Sequence, residues 1–357
     1  MKKSVLAVCC LVLLTAGLFA GGKQGGGSGS ASGKIEVSII MKSRGSPYFT
    51  ALTNSVKEGS EKLGWTVSVY DSNDDSVKET ENLEAAIAKK VKLIFLDNYE
   101  SLSVVPLINR AYDAGIPVIA IDSGVGPGAK FVTTVYSNNI ENGRAVGLTY
   151  INQYAGKDKP LIAILLSGTK GNPVGEERRT GLFAGIIQAR LGLSPDAALA
   201  AAKEFNRELT VNGRAKHEKA KFEVRGQGWG QWSRDGGRTA ADDLIVANKD
   251  LNLLMGENDE MNLGAMGALE VAGLKGKVDI IAAADGSKAA YDLMKVPGSG
   301  YIATGENSPT KVGIKAVEIA KEILIDGKDP WGYPEITMTE AFAVTKENAD
   351  EHYEYGF

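Results

Sequence analysis

Cysteine is nearly absent from this chain: of its 357 residues, only Cys9 and Cys10 are cysteines, and both lie in the first apolar run. Disulfides therefore cannot hold the remainder together, and that part must rely on core packing. Histidine is equally scarce, with His217 and His352 in polar surroundings. No H-E-x-x-H, G-x-S-x-G or phosphate-loop motif occurs. The sequence thus offers little for metal-dependent or nucleophilic catalysis.

An excess of basic charge is also missing, because 40 Lys and Arg residues stand against 44 Asp and Glu residues, a formal net charge of -4. This balance argues against nucleic acid as a partner. Hydrophobic residues make up 43% of the chain and charged residues 24%, which is typical of a soluble globular protein. The length suffices for one large domain or two ordinary ones.

The start of the chain has the pattern of a secretory signal peptide. Lys2 and Lys3 precede an apolar stretch, 5–20, that is short for a membrane span and is followed by small residues. We expect residues 1–20 to be cleaved and the Gly/Ser-rich stretch 21–33 to be a flexible linker. Cleavage removes two lysines and leaves 38 basic against 44 acidic residues, a charge of -6. An uncleaved N-terminal anchor is the alternative.

From residue 34 onward, short β-branched apolar segments alternate with amphipathic segments of helical period. The predicted strands are 35–40, 65–70, 92–96, 117–121, 161–166, 221–226, 251–255, 278–283 and 301–305. The predicted helices are 49–63, 77–90, 101–114, 139–155, 175–191, 236–247, 259–272, 287–295 and 309–325. Such alternation predicts an α/β fold of two doubly wound parallel-sheet lobes. A closed eight-stranded barrel is the alternative.

Segment 193–220 fits this alternation least well. We expect it to extend the connection after helix 175–191 and to lie on the surface. Its role is not evident from the residues.

Polar and aromatic residues collect where the predicted strands end, and in open parallel sheets ligands bind at those ends. The residues and segments in these positions are Tyr48, Phe49, Asp97, Asn98, Asp122, 167–181, Trp232, Asn258, Asp285, Glu306 and Asn307. They supply aromatic rings, carboxylates, amides and arginine, but no nucleophile–base pair. Such a lining suits a sugar or polyol, because hydroxyls need charged hydrogen-bond partners and C–H faces need flat apolar surfaces.

Several of these residues also have a purely structural interpretation. Asp122 and Asp285 come shortly before glycine and are alternatively turn formers. One of Tyr48 and Phe49 is expected to pack at the entry of its helix. Trp232 is alternatively a core residue.

The stretch that follows strand 251–255 stacks several polar side chains at the end of a buried strand. Asp259 is expected to cap the helix that it begins, by accepting hydrogen bonds from free backbone N–H groups. Asn258, one position earlier, lacks that explanation, and we therefore assign it to ligand contact.

Several motifs together resemble those of the periplasmic sugar-binding proteins of the ribose/galactose type. They are "SPYF", "IAIDSG", "NDEMNLGAMGALEVAG", "AADG" and "GKDPWGYP", and the similarity spans about residues 34 to 345. The resemblance implies a type I periplasmic binding protein fold, in which three crossover strands join two lobes that close around one ligand. The implied lobes are 34–137 with 308–338, and 138–307 with 339–357.

The resemblance also implies a set of ligand contacts. The first stacking aromatic matches Tyr48 or Phe49, and the second matches Trp232. The binding arginine matches Arg178 in a galactose-type alignment and Arg179 in a ribose-type alignment. The implied polar contacts are Asp122, Asn172, Asn258, Asp285 and Asn307.

Two departures from the family pattern limit what the resemblance implies. Ser123 stands where ribose-type members have an arginine, which weakens an assignment to ribose. The calcium loop of galactose-type members is absent before strand 161–166, so we expect no structural metal and no cofactor.

Together these observations predict a monomeric, non-enzymatic periplasmic protein. It would bind a monosaccharide or polyol and deliver it to the membrane permease of an ABC importer. The alternatives are a sugar sensor that acts through a membrane chemoreceptor or kinase, and a carbohydrate-acting enzyme. A transcriptional repressor with this core would carry a helix-turn-helix where the signal peptide and linker stand.

Overall fold

The structure is a computed structural model, and it describes residues 34–357. The predicted signal peptide, 1–20, and the predicted linker, 21–33, lie outside the described residues. Within 34–357, no helix combines the length and the apolar character that a bilayer crossing requires.

Strands and helices alternate along most of the described chain. The strands are β1 (Glu36–Met41), β2 (Thr66–Asp71), β3 (Leu93–Asp97), β4 (Val118–Ile121), β5 (Thr133–Ser137), β6 (Leu161–Ser167), β7 (Ala215–His217), β8 (Phe222–Trp229), β9 (Leu253–Gly256), β10 (Asp279–Ala282), β11 (Tyr301–Gly305), β12 (Ile336–Thr339) and β13 (Ala343–Thr345). The α-helices are α1 (Pro47–Lys62), α2 (Ser76–Ala88), α3 (Val105–Asp113), α4 (Asn139–Thr149), α5 (Pro173–Leu191), α6 (Pro195–Asn212), α7 (Arg234–Ala247), α8 (Asp259–Val271), α9 (Lys288–Met294), α10 (Pro309–Leu324) and α11 (Ala349–His352). A π-helical stretch, Tyr150–Ala155, continues α4.

The strands form two sheets, which confirms the predicted two-lobed α/β fold. The first sheet has the order β12-β5-β4-β3-β1-β2, and the second has the order β13-β11-β10-β9-β6-β8-β7. We call the first sheet with α1, α2, α3 and α10 lobe 1, and the second sheet with α4 to α9 lobe 2. In the described part of the chain, the path passes between the sheets three times: after β5, after β11 and between β12 and β13. The residue boundaries predicted for the lobes stay a prediction.

Both faces of the sheets are buried, as expected for parallel strands flanked by helices. In lobe 1, Ile39 and Phe95 belong to a cluster that includes α1 and α10 residues. Their sequence neighbours Ile40 and Leu96 belong to a second cluster with α2 and α3 residues on the other face. Since successive strand residues point to opposite faces, continuous apolar runs are the sequence pattern that this arrangement needs.

Segment 193–220 extends the connection after α5, as expected, but the expectation that it lies on the surface was wrong. It contains α6, which packs on α5, and the short edge strand β7, which pairs antiparallel with β8. Ala202, Phe205 and Leu209 of α6 are buried in the core of lobe 2. Three aromatic rings meet there, with Phe205 at 4.9 Å from Phe183 and 4.8 Å from Phe222 between ring centroids. The helix is therefore part of the hydrophobic core, because its apolar face covers α5.

Four short strands were not predicted: β5, β7, β12 and β13. Each has at most five residues. In β12, Ile336 and Met338 are exposed and the intervening Thr337 is only half-buried, so the strand lacks the apolar face on which pattern reading depends. β13 pairs antiparallel with β11, and β7 pairs antiparallel with β8, so the second sheet is not parallel throughout.

We predict that Phe205→Ala lowers the free energy of unfolding by about 3–5 kcal/mol, because it leaves a cavity between the rings of Phe183 and Phe222. Chemical denaturation followed by circular dichroism would measure the loss. Val211→Ala on the same helix is the control, since Val211 is exposed, and it should change the stability by less than about 0.5 kcal/mol. Equal losses in the two variants would contradict a core role for α6.

Candidate functional site

A cavity of about 1110 Å³ lies between the two lobes, where strand carboxyl ends and helix N-termini meet. Most of the residues singled out from the sequence line it. They are Tyr48, Phe49, Asn98, Asp122, Asn172, Arg178, Trp232, Asn258, Asp285 and Asn307. Both sheets contribute to the walls, because the strands that end at the cavity are followed by helices that begin at the same edge of the sheet. Whether these residues contact a ligand stays a prediction.

The lobe 1 wall is organised around Lys42, which directly follows β1. Its Nζ lies 3.2 Å from Asp97 Oδ1 and 3.4 Å from Asp122 Oδ2, and it donates to Ser123 Oγ at 2.7 Å. Asp122 adopts a left-handed backbone conformation with φ 62°, an uncommon choice for a residue with a side chain. The turn after β4 thus holds its carboxylate in the cavity.

Burial and neighbouring charges shift the pKa values of Lys42 and Asp97 in opposite directions. Burial by itself disfavours the charge of Lys42, but Asp97 and Asp122 outweigh it, so the pKa of Lys42 lies above its ordinary value. Asp97 is fully buried, and this burial raises its pKa to about 7 against the opposing effect of Lys42. Among the described residues, neither carboxylate oxygen of Asp97 accepts a hydrogen bond of good geometry. Lys42 therefore supplies most of the compensation for that buried carboxyl.

Tyr48 connects the lobe 1 wall to the crossover after β11. Its hydroxyl donates to Asp122 Oδ1 at 2.7 Å and lies 3.2 Å from Asn307 Oδ1. Burial, with the nearby Asp122 carboxylate, raises the pKa of Tyr48 well above its ordinary value, so the hydroxyl stays protonated. The rings of Tyr48 and Phe49 meet edge to face at 5.6 Å, and Lys42 Nζ lies 4.5 Å from the Phe49 ring centroid.

The lobe 2 wall is organised around Arg178 on α5. Its guanidinium donates to Asp285 Oδ1 at 3.2 Å, to the Glu257 carbonyl at 3.3 Å and to Asn139 Oδ1 at 3.1 Å. It also lies 5.5 Å from the Trp232 ring centroid. Burial raises the pKa of Asp285 to about 7, although Arg178 opposes the shift. The Arg178 side chain on α5 thus contacts residues at the ends of β9 and β10 and at the start of α4.

The neighbouring Arg179 does not line the cavity. Its guanidinium donates to Asn206 Oδ1 on α6 at 2.7 Å and to Glu257 Oε1 at 2.9 Å. Glu257 is fully buried, and its other oxygen accepts from the Gly168 backbone N–H at 2.8 Å. Of the two arginines that the sequence left open, the geometry places Arg178 at the cavity and gives Arg179 a role within lobe 2.

The capping roles predicted after β9 were wrong. Asn258, not Asp259, is the N-cap of α8, and its Oδ1 accepts from the Met261 N–H at 3.1 Å. Asp259 is fully buried and accepts from the N–H groups of Gly286 and Ser287, and from the Tyr301 hydroxyl at 2.7 Å. Asn258 also donates to the Trp232 carbonyl at 3.3 Å. It therefore combines a structural role with a position on the cavity wall.

Asn172 likewise caps a helix and lies on the cavity wall. Its Oδ1 accepts from the N–H groups of Val174 and Gly175 and thereby caps α5, while the residue lines the cavity. The cap satisfies backbone donors at the start of the helix that carries Arg178.

Trp232 lies against the backbone of Gly168. A Cβ atom on Gly168 would stand 2.0 Å from Cε2 of the indole, and one on Gly175 would stand 3.2 Å from its Cη2. Trp232 itself has φ 59°, so a left-handed turn presents the ring. The absence of a side chain at Gly168 is what allows the indole to lie this far back from the cavity.

Sequence reasoning missed several lining residues, among them Lys42, Tyr136 and Asn139, and it included Glu177 only as part of segment 167–181. Lys42 directly follows a strand and was open to the same reasoning as its neighbours. The others form a contact between the lobes, in which Tyr136 of β5 and Asn139 of α4 both donate to Glu177 Oε2, at 3.0 and 3.1 Å. No local pattern signals such a pair, because its members lie about forty residues apart in the sequence.

The arrangement offers the kinds of group that a polyhydroxylated molecule can contact. Asp122 and Asp285 offer carboxylate acceptors, Arg178 and Lys42 offer donors, and Trp232 offers a flat face. Over residues 34–357, no group of three or more His, Cys, Asp or Glu side chains is placed to hold a metal ion.

Known proteins are similar to this chain over most of its length. The family model for the periplasmic binding protein domain matches residues 37–329. The ribose import binding protein of Salmonella typhimurium is 27% identical over 312 residues, which cover 86% of this chain and 90% of that protein. The D-apiose import binding protein of Actinobacillus succinogenes is 25% identical over 264 residues, which cover 74% of each chain.

A solved structure has the same fold. The periplasmic solute-binding protein of an ABC transporter from Actinobacillus succinogenes, crystallised with bound D-allose, superimposes with a TM-score of 0.70. The match covers 89% of this chain and 100% of that one at 23% sequence identity.

We predict that Gly168→Ala displaces the Trp232 indole towards the cavity and costs about 1–3 kcal/mol of stability, because the new methyl group overlaps the ring. The ¹⁹F resonances of protein labelled with 5-fluorotryptophan would report the displacement. Gly124→Ala is the matched control: Gly124 lines the same cavity, and a Cβ atom added there would meet nothing within 4 Å. An unchanged Trp232 resonance in Gly168→Ala would contradict the contact.

We also predict that the stability of the fold depends on pH through the ionisation of Asp97. Between the ordinary value of 3.8 and about 7, the folded protein keeps a proton on Asp97 that the unfolded chain has released. The free energy of unfolding should therefore fall as pH rises through this window, by at most about 1.4 kcal/mol per pH unit from this group. Denaturation of the wild type and of Asp97→Asn between pH 4.5 and 8 would test this. The difference in stability between them should grow in favour of Asp97→Asn as pH rises, and a constant difference would contradict the shift.

Proposed function

Because this chain belongs to the periplasmic binding protein domain family, we propose that it is an exported solute-binding protein that captures a monosaccharide or polyol between its lobes. The named relatives support the ligand class, since they are import binding proteins for ribose and D-apiose. In this proposal the chain binds and releases its ligand unchanged, in keeping with the binding functions in those names.

One observation carries the proposal: charged and aromatic groups from both lobes converge on one cavity. Asp122 and Tyr48 face it from lobe 1, and Arg178, Asp285 and Trp232 face it from lobe 2. Hydrogen bonds from hydroxyls to charged groups each contribute about 1.5–3 kcal/mol. A ring of sugar or polyol carries several hydroxyls, so it suits a lining in which such groups surround an aromatic face.

In this proposal the two lobes close on the ligand, because the contact groups are divided between them. A ligand held by Asp122 on one side and by Asp285 on the other completes its contacts only when the lobes are shut. The three passages of the chain between the sheets provide the hinge in this proposal. Part of the binding free energy would thus offset the cost of closing the cavity.

The closed complex is the form that we expect a membrane permease of an ABC importer to receive in the periplasm, from a monomer whose signal peptide has been removed. A membrane chemoreceptor would recognise the same closed form. Sugar uptake by cells that lack the gene, compared with their chemotaxis to the same sugar, would separate the two outputs.

We predict that a thermal-shift panel of D-ribose, D-allose, L-arabinose, myo-inositol and glycerol raises the melting temperature with at least one member. At a ligand concentration of 100 times Kd, the stabilisation is about 2.7 kcal/mol. Trp232→Ala and Asp285→Ala should abolish this rise, because each removes a proposed ligand contact on the lobe 2 side of the cavity.

Trp331→Ala is the control for the loss of an indole, since Trp331 is exposed and does not line the cavity. It should keep the full ligand-induced shift. A shift that survives intact in both Trp232→Ala and Asp285→Ala would contradict the proposed site.

A further inference from the structure

The last three residues of the sequence, Tyr355 to Phe357, run beside the cavity and contact both lobes. The Ser308 hydroxyl donates to the Tyr355 carbonyl at 2.6 Å, and the Lys288 N–H donates to the Phe357 carbonyl at 3.2 Å. Ser308 is the N-cap of α10 in lobe 1, and Lys288 is the first residue of α9 in lobe 2. The segment is therefore hydrogen-bonded to the start of one helix in each lobe.

Close packing fixes the position of the segment further. A Cβ atom on the buried Gly356 would lie 3.1 Å from each of the Gly286 carbonyl oxygen, the Lys288 side chain and the Tyr291 ring. The backbone approaches α9 this closely because residue 356 has no side chain.

The Phe357 ring lies at the cavity. It is one of the lining residues and meets Tyr48 edge to face, with 5.5 Å between centroids and an interplanar angle of 89°. Tyr48 meets Phe49 in the same way. The Tyr48 ring therefore has two aromatic neighbours, Phe49 and Phe357, while its hydroxyl bonds to Asp122 and Asn307.

We propose that Phe357 is a specificity-determining residue of this cavity, which holds Tyr48 in place and limits the size of the ligand at the crossover end. The inference rests on the proposed function and adds a residue from outside the strand ends that supply most of the wall. With the Phe357 ring removed, Tyr48 loses one of its two aromatic neighbours and the cavity is extended beside it. Small ligands should then lose contacts, and larger ones should lose less.

The experiment compares Phe357→Ala, Phe357→Leu and the wild type by calorimetry with D-ribose, D-allose and myo-inositol. For the sugar that the wild type binds most tightly, Phe357→Ala should raise Kd about tenfold, the effect of one well-placed aromatic pair with its buried area. Phe357→Leu should recover part of this loss, because it restores volume without the ring edge. The ratio of Kd values between the pentose and the six-carbon ligands should also change in Phe357→Ala.

Tyr353→Ala is the control variant. Tyr353 lies in the same part of the chain and packs on Tyr291, at 6.3 Å between ring centroids, but does not line the cavity. It should lower the melting temperature and leave Kd and the Kd ratio unchanged. Equal changes in Kd for Phe357→Ala and Tyr353→Ala would show a general effect of the segment and overturn the inference.

Two further outcomes separate the inference from the proposed function. If the wild type binds a sugar and Phe357→Ala binds the same sugars with unchanged Kd values, the inference fails and the function stands. If no sugar binds the wild type, the proposed function fails. The contact between Phe357 and Tyr48 is then tested by the losses of melting temperature in Phe357→Ala, Tyr48→Leu and the double variant. Additive losses would then overturn the role of Phe357 in holding Tyr48, and coupled losses would uphold it.

Discussion

The ion pair between Arg178 and Asp285 is the contact on which the lobe 2 side of the cavity depends. Both partners are buried, so removal of either would leave an unpaired charge in a site shielded from water, which is costly. Arg178 also bonds to the carbonyl of Glu257 and to Asn139, and it lies beside Trp232. The positions of two strand ends, one helix start and one aromatic ring are therefore linked through a single guanidinium group.

Lys42 has the corresponding place in lobe 1, where it contacts Asp97 and Asp122. In each lobe a buried or half-buried cation is thus paired with carboxylates at the strand ends, so the walls present hydrogen-bond donors and acceptors together. The burial that makes these pairs strong also raises the pKa values of Asp97 and Asp285, which couples the cavity to pH.

The alternation of elements could be read from the sequence because each strand and helix carries its own local period. α6 was misjudged since its apolar face covers another helix, α5, in a segment that interrupts the strand–helix rhythm. The wrong cap assignment for α8 has a different cause. Asn258 and Asp259 are both suitable N-cap residues, and the hydrogen bonds of Asp259 to Tyr301 and to the turn at Gly286 draw Asp259 into the core and leave Asn258 as the cap.

The sequence by itself determined the two-lobed α/β fold and the strand ends at which polar residues gather, since hydrophobic period and residue type are local properties. The tertiary structure alone decided that Arg178 faces the cavity while Arg179 turns to Glu257 and α6, as adjacent residues on a helix point in different directions. It also decided that Phe357 reaches Tyr48, more than three hundred residues away in the chain. Contacts between such distant residues depend on how the lobes pack, and no local pattern encodes them.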